Sequence, residues 1–448
     1  MIKITKFGGS SLANAQQFAK VKHIIESDPA RRFVVVSAVG RANKHDNKVT
    51  DLLYLCQAHM QYHVDCSPVF DMIKERYIQI RNDLHLNYPI ERELASLWNQ
   101  MKTSISVDEL VSRGEYLTAR LMAEYLGYAF VDAKDVIRFR YDGSIDYDFC
   151  EKSLQRIARN NQPFVMPGFY GSAPDGRIRV MTRGGSDITG SILAKCLHAD
   201  LYENWTDVSG FLMADPRIVR NPQPIRTITY SELRELSYMG ASVLHEEAIF
   251  PIRDTNIPIN ILNTNQPDNP GTIILNELSE DAEDDSVITG IAGKKDFTVV
   301  AIYKNHMSDE IGIVRKALSV FERYRVSIEH VPSGIDSFSV VVATRDVKDI
   351  IYDIVNDIRR EIHPDHIKVS DEIALISTVG RNMSSRPGIS GRLFAALGNN
   401  DINIRMIAQG SDEINIIVGV ENKDFEKTIA VIYDGLIQNE DTKLNDTA

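Results

Sequence analysis

The chain reads as an α/β protein, a doubly wound and mostly parallel sheet over residues 1–275, followed by two ferredoxin-like α+β units. Three observations predict this. Apolar strand-like runs alternate with amphipathic helical stretches through the first 275 residues, the pattern of a parallel sheet covered by crossover helices. Between Asn265 and Asp285 the composition shifts to proline and glycine and then to an acidic block beginning at Glu280, as in a solvated linker. Beyond it, one gap-free offset carries Gly312 onto Gly388, Ile313 onto Ile389, Phe321 onto Leu397, Ile328 onto Ile404, Gly334 onto Gly410 and Val342 onto Val418. That is an internal repeat of one supersecondary unit. The expected organisation is therefore 1–275, an acidic linker 276–287, and two repeats at 288–371 and 372–448.

Taken in order, Met1 to Phe7 forms a strand that runs into Gly8-Gly9-Ser10-Ser11, with Lys6 beside the turn. Glycines let backbone N–H groups approach an anion, and the helix from Asn14 to Ser27 turns its positive end toward them. The lysine precedes the glycines, so this is not a P-loop. A strand at Phe33 to Ala38 follows, then a largely helical stretch from Asp51 to Leu126, broken at Asn87-Tyr88-Pro89 and inserted between strands. Within it, Ser112-Arg113-Gly114 opens a helix and puts Glu115 in the first turn, either as a dipole-favoured residue or as the receptor of a substrate ammonium group.

After the strand Phe164 to Pro167 comes Thr182-Arg183-Gly184-Gly185-Ser186-Asp187 and a helix to Leu197. Ser186 or Asp187 is placed to cap that helix. Arg183 suits bidentate capture of a carboxylate, and Asp187 could alternatively hold a phosphate-bound Mg²⁺ or orient a lysine. The strand Ala199 to Trp205 leads into Thr206-Asp207, with Asp215-Pro216-Arg217 close behind; ligands of open α/β sheets bind at such carboxyl ends. A strand at Ile257 to Leu262 completes this half. Each repeat then reads strand, glycine turn, helix, strand, turn, strand, helix.

Composition narrows the function. At 448 residues the chain exceeds a single core. Its 43% hydrophobic and 25% charged residues are those of a globular protein, without a run long enough to span a membrane and without a secretory signal. The expected location is the cytoplasm. A net charge of -12 argues against nucleic acid as the main partner. Cys56, Cys66, Cys150 and Cys196 lack CxxC spacing, so they read as reduced and structural, and no dedicated metal site is expected.

Lys6-Phe7-Gly8-Gly9-Ser10-Ser11, Val36-Ser37-Ala38, Ser112-Arg113-Gly114-Glu115, Arg183-Gly184-Gly185-Ser186-Asp187, Trp205-Thr206-Asp207-Val208, Asp215-Pro216-Arg217 and Met239-Gly240-Ala241-Ser242-Val243-Leu244-His245, in that order and ahead of a tandem repeat, closely resemble the aspartate kinase family. The turns at Asp309-Glu310-Ile311-Gly312 and Ser385-Arg386-Pro387-Gly388 resemble those of ACT domains, which bind small amino acids between paired units or serve dimerisation alone. The resemblance implies an amino-acid kinase fold and transfer of the ATP γ-phosphoryl group to the side-chain carboxylate of L-aspartate, giving 4-phospho-L-aspartate. It assigns Lys6 and Asp187 to catalysis; Ser37, Thr50, Glu115, Arg183 and Ser186 to aspartate; and Lys6, Gly8, Gly9, Ser10, Thr206, Asp207 and Arg217 to the nucleotide, with Mg²⁺ arriving on ATP.

For the regulatory repeats the expected effector residues are Ser308, Asp309, Gly312, Glu329 and Ser333, the expected inhibitor is L-lysine with L-threonine as the alternative, and the expected assembly is a homo-oligomer, dimer or tetramer. Three positions depart from the family pattern. Ser242 and Glu246 replace a lysine and a proline, Leu212 replaces an aromatic residue, and Arg41 to Lys48 is longer and more basic. The competing readings are a kinase for another acidic amino acid and an amino-acid sensor with a silent kinase domain.

Overall fold

Alternating side-chain direction along two neighbouring strands decides how the first half is built. In the computed structural model, which describes residues 1–159, 162–182, 184–241, 250–277, 287–381, 383, 386–410 and 414–438, β1 (Lys3–Phe7) lies parallel to β2 (Phe33–Val36) on one side. On the other side lies β5 (Leu201–Thr206), with Lys6 opposite Asn204 and Thr5 opposite Glu203. Successive residues of a strand face opposite sides of a sheet. One face of the pair therefore carries Ile4, Lys6, Tyr202 and Asn204; the other carries Lys3, Thr5, Phe7, Glu203 and Trp205.

The other strands of this sheet are β3 (Ala129–Phe130), β4 (Phe164–Pro167), β6 (Thr227–Thr229), β7 (Ile259–Asn263) and β8 (Thr272–Leu275). The sheet runs β6-β8-β7-β5-β1-β2-β4-β3 and is parallel except between β7 and β8. Central strands such as Phe33-Val34-Val35-Val36 are fully buried, as expected when helices cover both faces.

The helices sit where the sequence predicts, with one informative exception. α1 (Ala15–Glu26) is capped by Asn14, whose Oδ1 accepts from Gln17 N at 3.0 Å. The inserted helical region comprises α2 (Val49–Gln61), α3 (Ser67–Asp83), α4 (Ile90–Thr103), which starts after Pro89, and α5 (Val107–Leu126). The last begins at Ser106, whose side chain accepts from Glu109 N, not at Gly114. Gly114 is therefore internal because a Cβ there would stand 2.8 Å from the Ala38 Cβ; this is a close-approach glycine, not a helix break. Glu115 consequently lies in mid-helix, and the first-turn dipole reading of it is corrected. α6 (Tyr147–Ala158) and α7 (Gly185–Cys196) follow. Among the described residues no helix is long and apolar enough to cross a membrane, and all four cysteines are free and buried.

The chain divides into two compact units, and the second takes in 212–223 and 231–242 as well as the C-terminal part. It therefore includes most of α8 (Tyr230–Tyr238). The expected linker 276–287 lies mostly outside the described residues. The repeats are built from β9 (Gly290–Tyr303), α9 (Ile313–Arg323), β10 (Ser337–Ala343), α10 (Ile351–Ile362), β11 (His366–Val379), α11 (Ile389–Asn399), β12 (Met406–Gln409), β13 (Asn415–Glu421) and α12 (Phe425–Tyr433).

Gly312 (φ +82°) and Gly388 (φ +93°) hold the same left-handed position ahead of α9 and α11, a conformation that favours glycine. The repeats nevertheless share one sheet, ordered β10-β9-β11-β13-β12. The second half of β9 pairs with β10 and with the first half of β11, whereas residues 290–294 pair with 375–379 across a bulge. Position 371/372 falls inside β11.

On the far face of the first sheet, Glu203 is 1% exposed and accepts from Arg31 Nε at 2.8 Å and Trp205 Nε1 at 3.0 Å, with Lys3 Nζ at 3.2 Å. Removing one member leaves buried charges uncompensated. Glu203→Leu is expected to lower the unfolding free energy by about 3 kcal/mol, read as a drop in the urea midpoint.

Candidate active site

The carboxyl ends of β1, β2, β4 and β5 open on one edge of the first sheet, and the turns leaving them form a cleft of about 900 Å³. Lys6 is its centre. It is 6% exposed, its Nζ is ion-paired with Asp187 and donates to Asn204 Oδ1 at 3.3 Å, and Asn204 Nδ2 donates to Asp187 Oδ1 at 2.9 Å. The strand register places Lys6 and Asn204 side by side, and α7 lays Asp187 across them.

Neither Ser186 nor Asp187 caps α7, which corrects the capping expectation. The cap is Gly184 (φ +76°), without a side-chain bond. The Asp187 carboxylate is drawn instead to the lysine. Tyr202 Oη donates to the Asp187 carbonyl at 3.1 Å, which fixes the first turn of α7 on the same face.

Two glycine turns line the cleft. Gly8 N donates to Trp205 O at 2.9 Å and Gly40 N to Gly9 O at 2.9 Å. A Cβ on Gly40 would come within 2.3 Å of the Gly9 carbonyl carbon, so only a glycine lets the 37–40 turn seat on the phosphate-type turn. On the α7 side, Gly184 and Gly185 begin the helix, whose first N–H groups have no intrahelical acceptor. An anion placed between the turns meets these dipoles and Lys6.

The opposite wall carries Glu115. Its side chain is 5% exposed and Oε2 has no hydrogen-bond partner among the described residues. Burial pushes its carboxyl up to about 8, against backbone hydrogen bonds from Glu115 and Ala38 that pull it down. A buried, under-satisfied carboxylate facing a cleft is suited to a cationic group.

Of the predicted site residues, Lys6, Gly8, Gly9, Ser10, Ser37, Thr50, Glu115, Ser186, Asp187, Thr206 and Asp207 all line this cleft. Arg183 lies outside the described residues, as do Ser242 and Glu246. Arg217 does not line it; its guanidinium is engaged by Asp215, with Nη2 at 2.5 Å from Oδ2. Phe211, which stands beside the non-aromatic Leu212, is 2% exposed and lines no part of the cleft.

Sequence reasoning missed the part of Asn204, although a polar residue between buried Tyr202 and Trp205 in a central strand was a usable signal. It also missed Phe169 and the contribution of Arg41, Lys44 and Lys48 to the rim. In the second unit, Glu329 and Ser333 line a separate cavity of about 770 Å³ with Arg234, Tyr238 and Gln409, and Tyr238 Oη donates to the Glu329 carboxylate. Ser308, Asp309 and Gly312 do not line that cavity; they sit in the turn ahead of α9.

Comparison with known proteins gives the family of the chain. Residues 1–263 match the Amino acid kinase family and residues 376–436 the ACT domain. The chain is 37% identical to Aspartokinase 3 of Bacillus subtilis over 96% of its own length and 98% of that protein's. It superposes on the aspartate kinase of Clostridium acetobutylicum with a TM-score of 0.90 at 48% identity, covering 97% of this chain and 99% of that one. E. coli aspartokinase III, at 26% identity, gives 0.72 in complex with aspartate and ADP, covering 97% and 100% of the two chains, and 0.74 in complex with lysine and aspartate, covering 97% and 99%.

The raised pKa of Glu115 makes stability depend on pH. Between its ordinary value of 4.5 and about 8 the folded chain holds a proton that the unfolded chain has released, so this group withdraws stability progressively as pH rises through that window. Glu115→Gln is expected to leave the melting temperature unchanged near pH 4.5 and to raise it at pH 8 and above. Thermal melts across that range check this.

Proposed function

Because this chain belongs to the aspartokinase family and is a kinase that phosphorylates aspartate, we propose that its cleft moves the γ-phosphoryl group of ATP to the side-chain carboxylate of L-aspartate, giving 4-phospho-L-aspartate and ADP. The observation that carries this reading is the Lys6–Asp187–Asn204 cluster set between two glycine turns, with the buried Glu115 carboxyl, whose Oε2 has no partner among the described residues, on the wall of the same cleft.

The aspartate β-carboxylate is ionised at neutral pH and needs no general base. One of its oxygens attacks the γ-phosphorus while the bond to the β,γ-bridging oxygen breaks and ADP leaves. What the protein must supply is alignment and neutralisation of charge on the equatorial oxygens. Lys6 provides that charge, and its pairing with Asp187 and Asn204 holds the ammonium in place before substrate arrives. The turns of Gly8, Gly9 and Ser10 offer backbone donors, while Thr206 and Asp207 border the nucleotide.

Glu115 receives the aspartate ammonium, with Ser37, Thr50 and Ser186 around the substrate and Arg183 assigned to its α-carboxylate through the family motif. Burial holds the Glu115 carboxyl well above its ordinary range in the empty cleft, and an arriving ammonium group favours its ionised form. Mg²⁺ enters on the nucleotide. Phosphate oxygens would hold most of its coordination shell, and Asp187 and Asp207, which line the cleft, are the carboxylates that could complete it, the few-ligand arrangement that suits this ion.

Regulation by an end-product amino acid at the repeats completes the reading. L-lysine is the proposed inhibitor, supported by the lysine complex of E. coli aspartokinase III, with L-threonine as the alternative. The acidic Glu329 and the hydroxyl of Ser333 suit a diamino acid, and the repeats are the proposed site of homo-oligomerisation. The proposed location is the cytoplasm.

Lys6→Ala is expected to lower kcat by about a thousandfold while the thermal melt stays within a few degrees, measured as ADP release with ATP, Mg²⁺ and L-aspartate and as hydroxylamine trapping of the acyl phosphate. Turnover at the unsubstituted rate, or a trapped product absent in the unsubstituted protein, overturns the assignment. Titrating L-lysine and L-threonine into the same assay decides the effector.

A further inference from the structure

The rim of the cleft is formed in part by loop 40–48, whose Arg41, Lys44 and Lys48 line it. Val49 N donates to Val39 O at 3.0 Å and closes the loop at its base, which makes it a compact Ω-type loop. Arg76 of α3 pins it from outside the cleft. Its guanidinium donates to Gly40 O at 3.3 Å and Asn47 O at 2.6 Å and pairs with Asp46. Asp46 in turn accepts from Ala42 N at 3.0 Å and Asn47 N at 2.9 Å. Gly40 is bonded to Gly9, so loop and phosphate-type turn form one body.

The charges do not balance inside this body. Asp46, the loop's acid, is spent on Arg76, and Lys6 shares its charge with Asp187 in the empty cleft. Arg41 has only a loose contact with Asp51 at 3.7 Å, half exposed. Lys44 and Lys48 have no ion pair or side-chain hydrogen bond among the described residues. Arg41, Lys44 and Lys48 are exposed, and like charges gathered at one rim make a positive potential that attracts an anion. The anion with the most charge to offer the cleft is the nucleotide polyphosphate.

We propose that Lys44 and Lys48 bind the phosphates of the nucleotide, and that Arg76 is the positioning residue that holds loop 40–48 in the orientation that presents them. This rests on the nucleotide reading of the cleft given above. Because the loop is prefolded, each lysine gives up less freedom on binding than it would on an open strand.

Calorimetric titration of MgADP tests this directly, with no dependence on turnover. Lys44→Ala and Lys48→Ala are each expected to raise the Kd about tenfold, the size of a lost charged contact, and to make binding less sensitive to salt. Lys44→Arg should stay within about twofold. Arg76→Met should weaken MgADP as well but add little in the Lys44→Ala/Lys48→Ala background, because it acts through those residues; unchanged near-ultraviolet circular dichroism guards against misfolding. A doubly substituted protein that binds MgADP as well as the original overturns the loop assignment alone. So does a KM that rises for aspartate while the MgADP Kd holds. If the unsubstituted protein binds no MgADP, the nucleotide reading of the cleft falls first and the loop assignment with it.

Discussion

The ion pair between Lys6 and Asp187 is the contact through which the rest of the first unit is aligned. It ties the penultimate residue of β1 to the first turn of α7, and Asn204 from the neighbouring strand closes the triangle. A lysine this deeply buried is tolerated only with a partner. A carboxylate in the first turn of a helix gains from the dipole as well. The two requirements meet at one point, and everything that borders the cleft is arranged around that point: the 8–11 turn because it follows Lys6, the 184–187 turn because it precedes Asp187, the 206–207 turn because it follows Asn204. The pair also leaves Lys6 formally neutralised in the empty cleft. Binding a polyanion then requires further positive charge from the borders, which explains why the rim chemistry matters as much as the centre.

The opposite wall works by a different principle. Glu115 is not stabilised by the protein; it is desolvated and left short of a partner. Such a group is a poor contributor to folding and a good receptor, because a ligand cation restores the interaction that burial removed. The glycine beside it has no functional group, yet it lets α5 approach the 37–40 turn closely enough for the carboxylate to face the cleft.

Much of this was legible in the sequence. The strand at 164–167 falls on its expected residues because its apolar run was bounded by turn signals. The repeat was readable from one offset, since the two glycines ahead of α9 and α11 share a left-handed conformation. The cleft residues were recognised as short motifs, each beside a glycine. What was not legible has a common cause. Gly114 was read from local propensity as part of a helix start, and Asp187 was left open between a cap, a Mg²⁺ partner and a lysine-orienting carboxylate, whereas tertiary contacts decide both: Ala38 across the first and Lys6 across the second. The part of Asn204 needed the register of β1 against β5, and the charge imbalance of loop 40–48 needed Arg76, some thirty residues away in sequence.

The shared sheet of the second unit bears on how such a tandem array can be taken apart. Residues 290–294 serve the second repeat while 297–303 serve the first, so the polypeptide passes through the later module before it builds the earlier one. Excision at the apparent junction would strip β11 of a neighbour and bare Leu375, Ile376 and Val379, all buried in the intact chain, as a raw strand margin prone to self-association. The two modules are thus topologically nested. A gene fragment encoding the second must carry the 290–294 segment grafted ahead of it to behave as a separate protein.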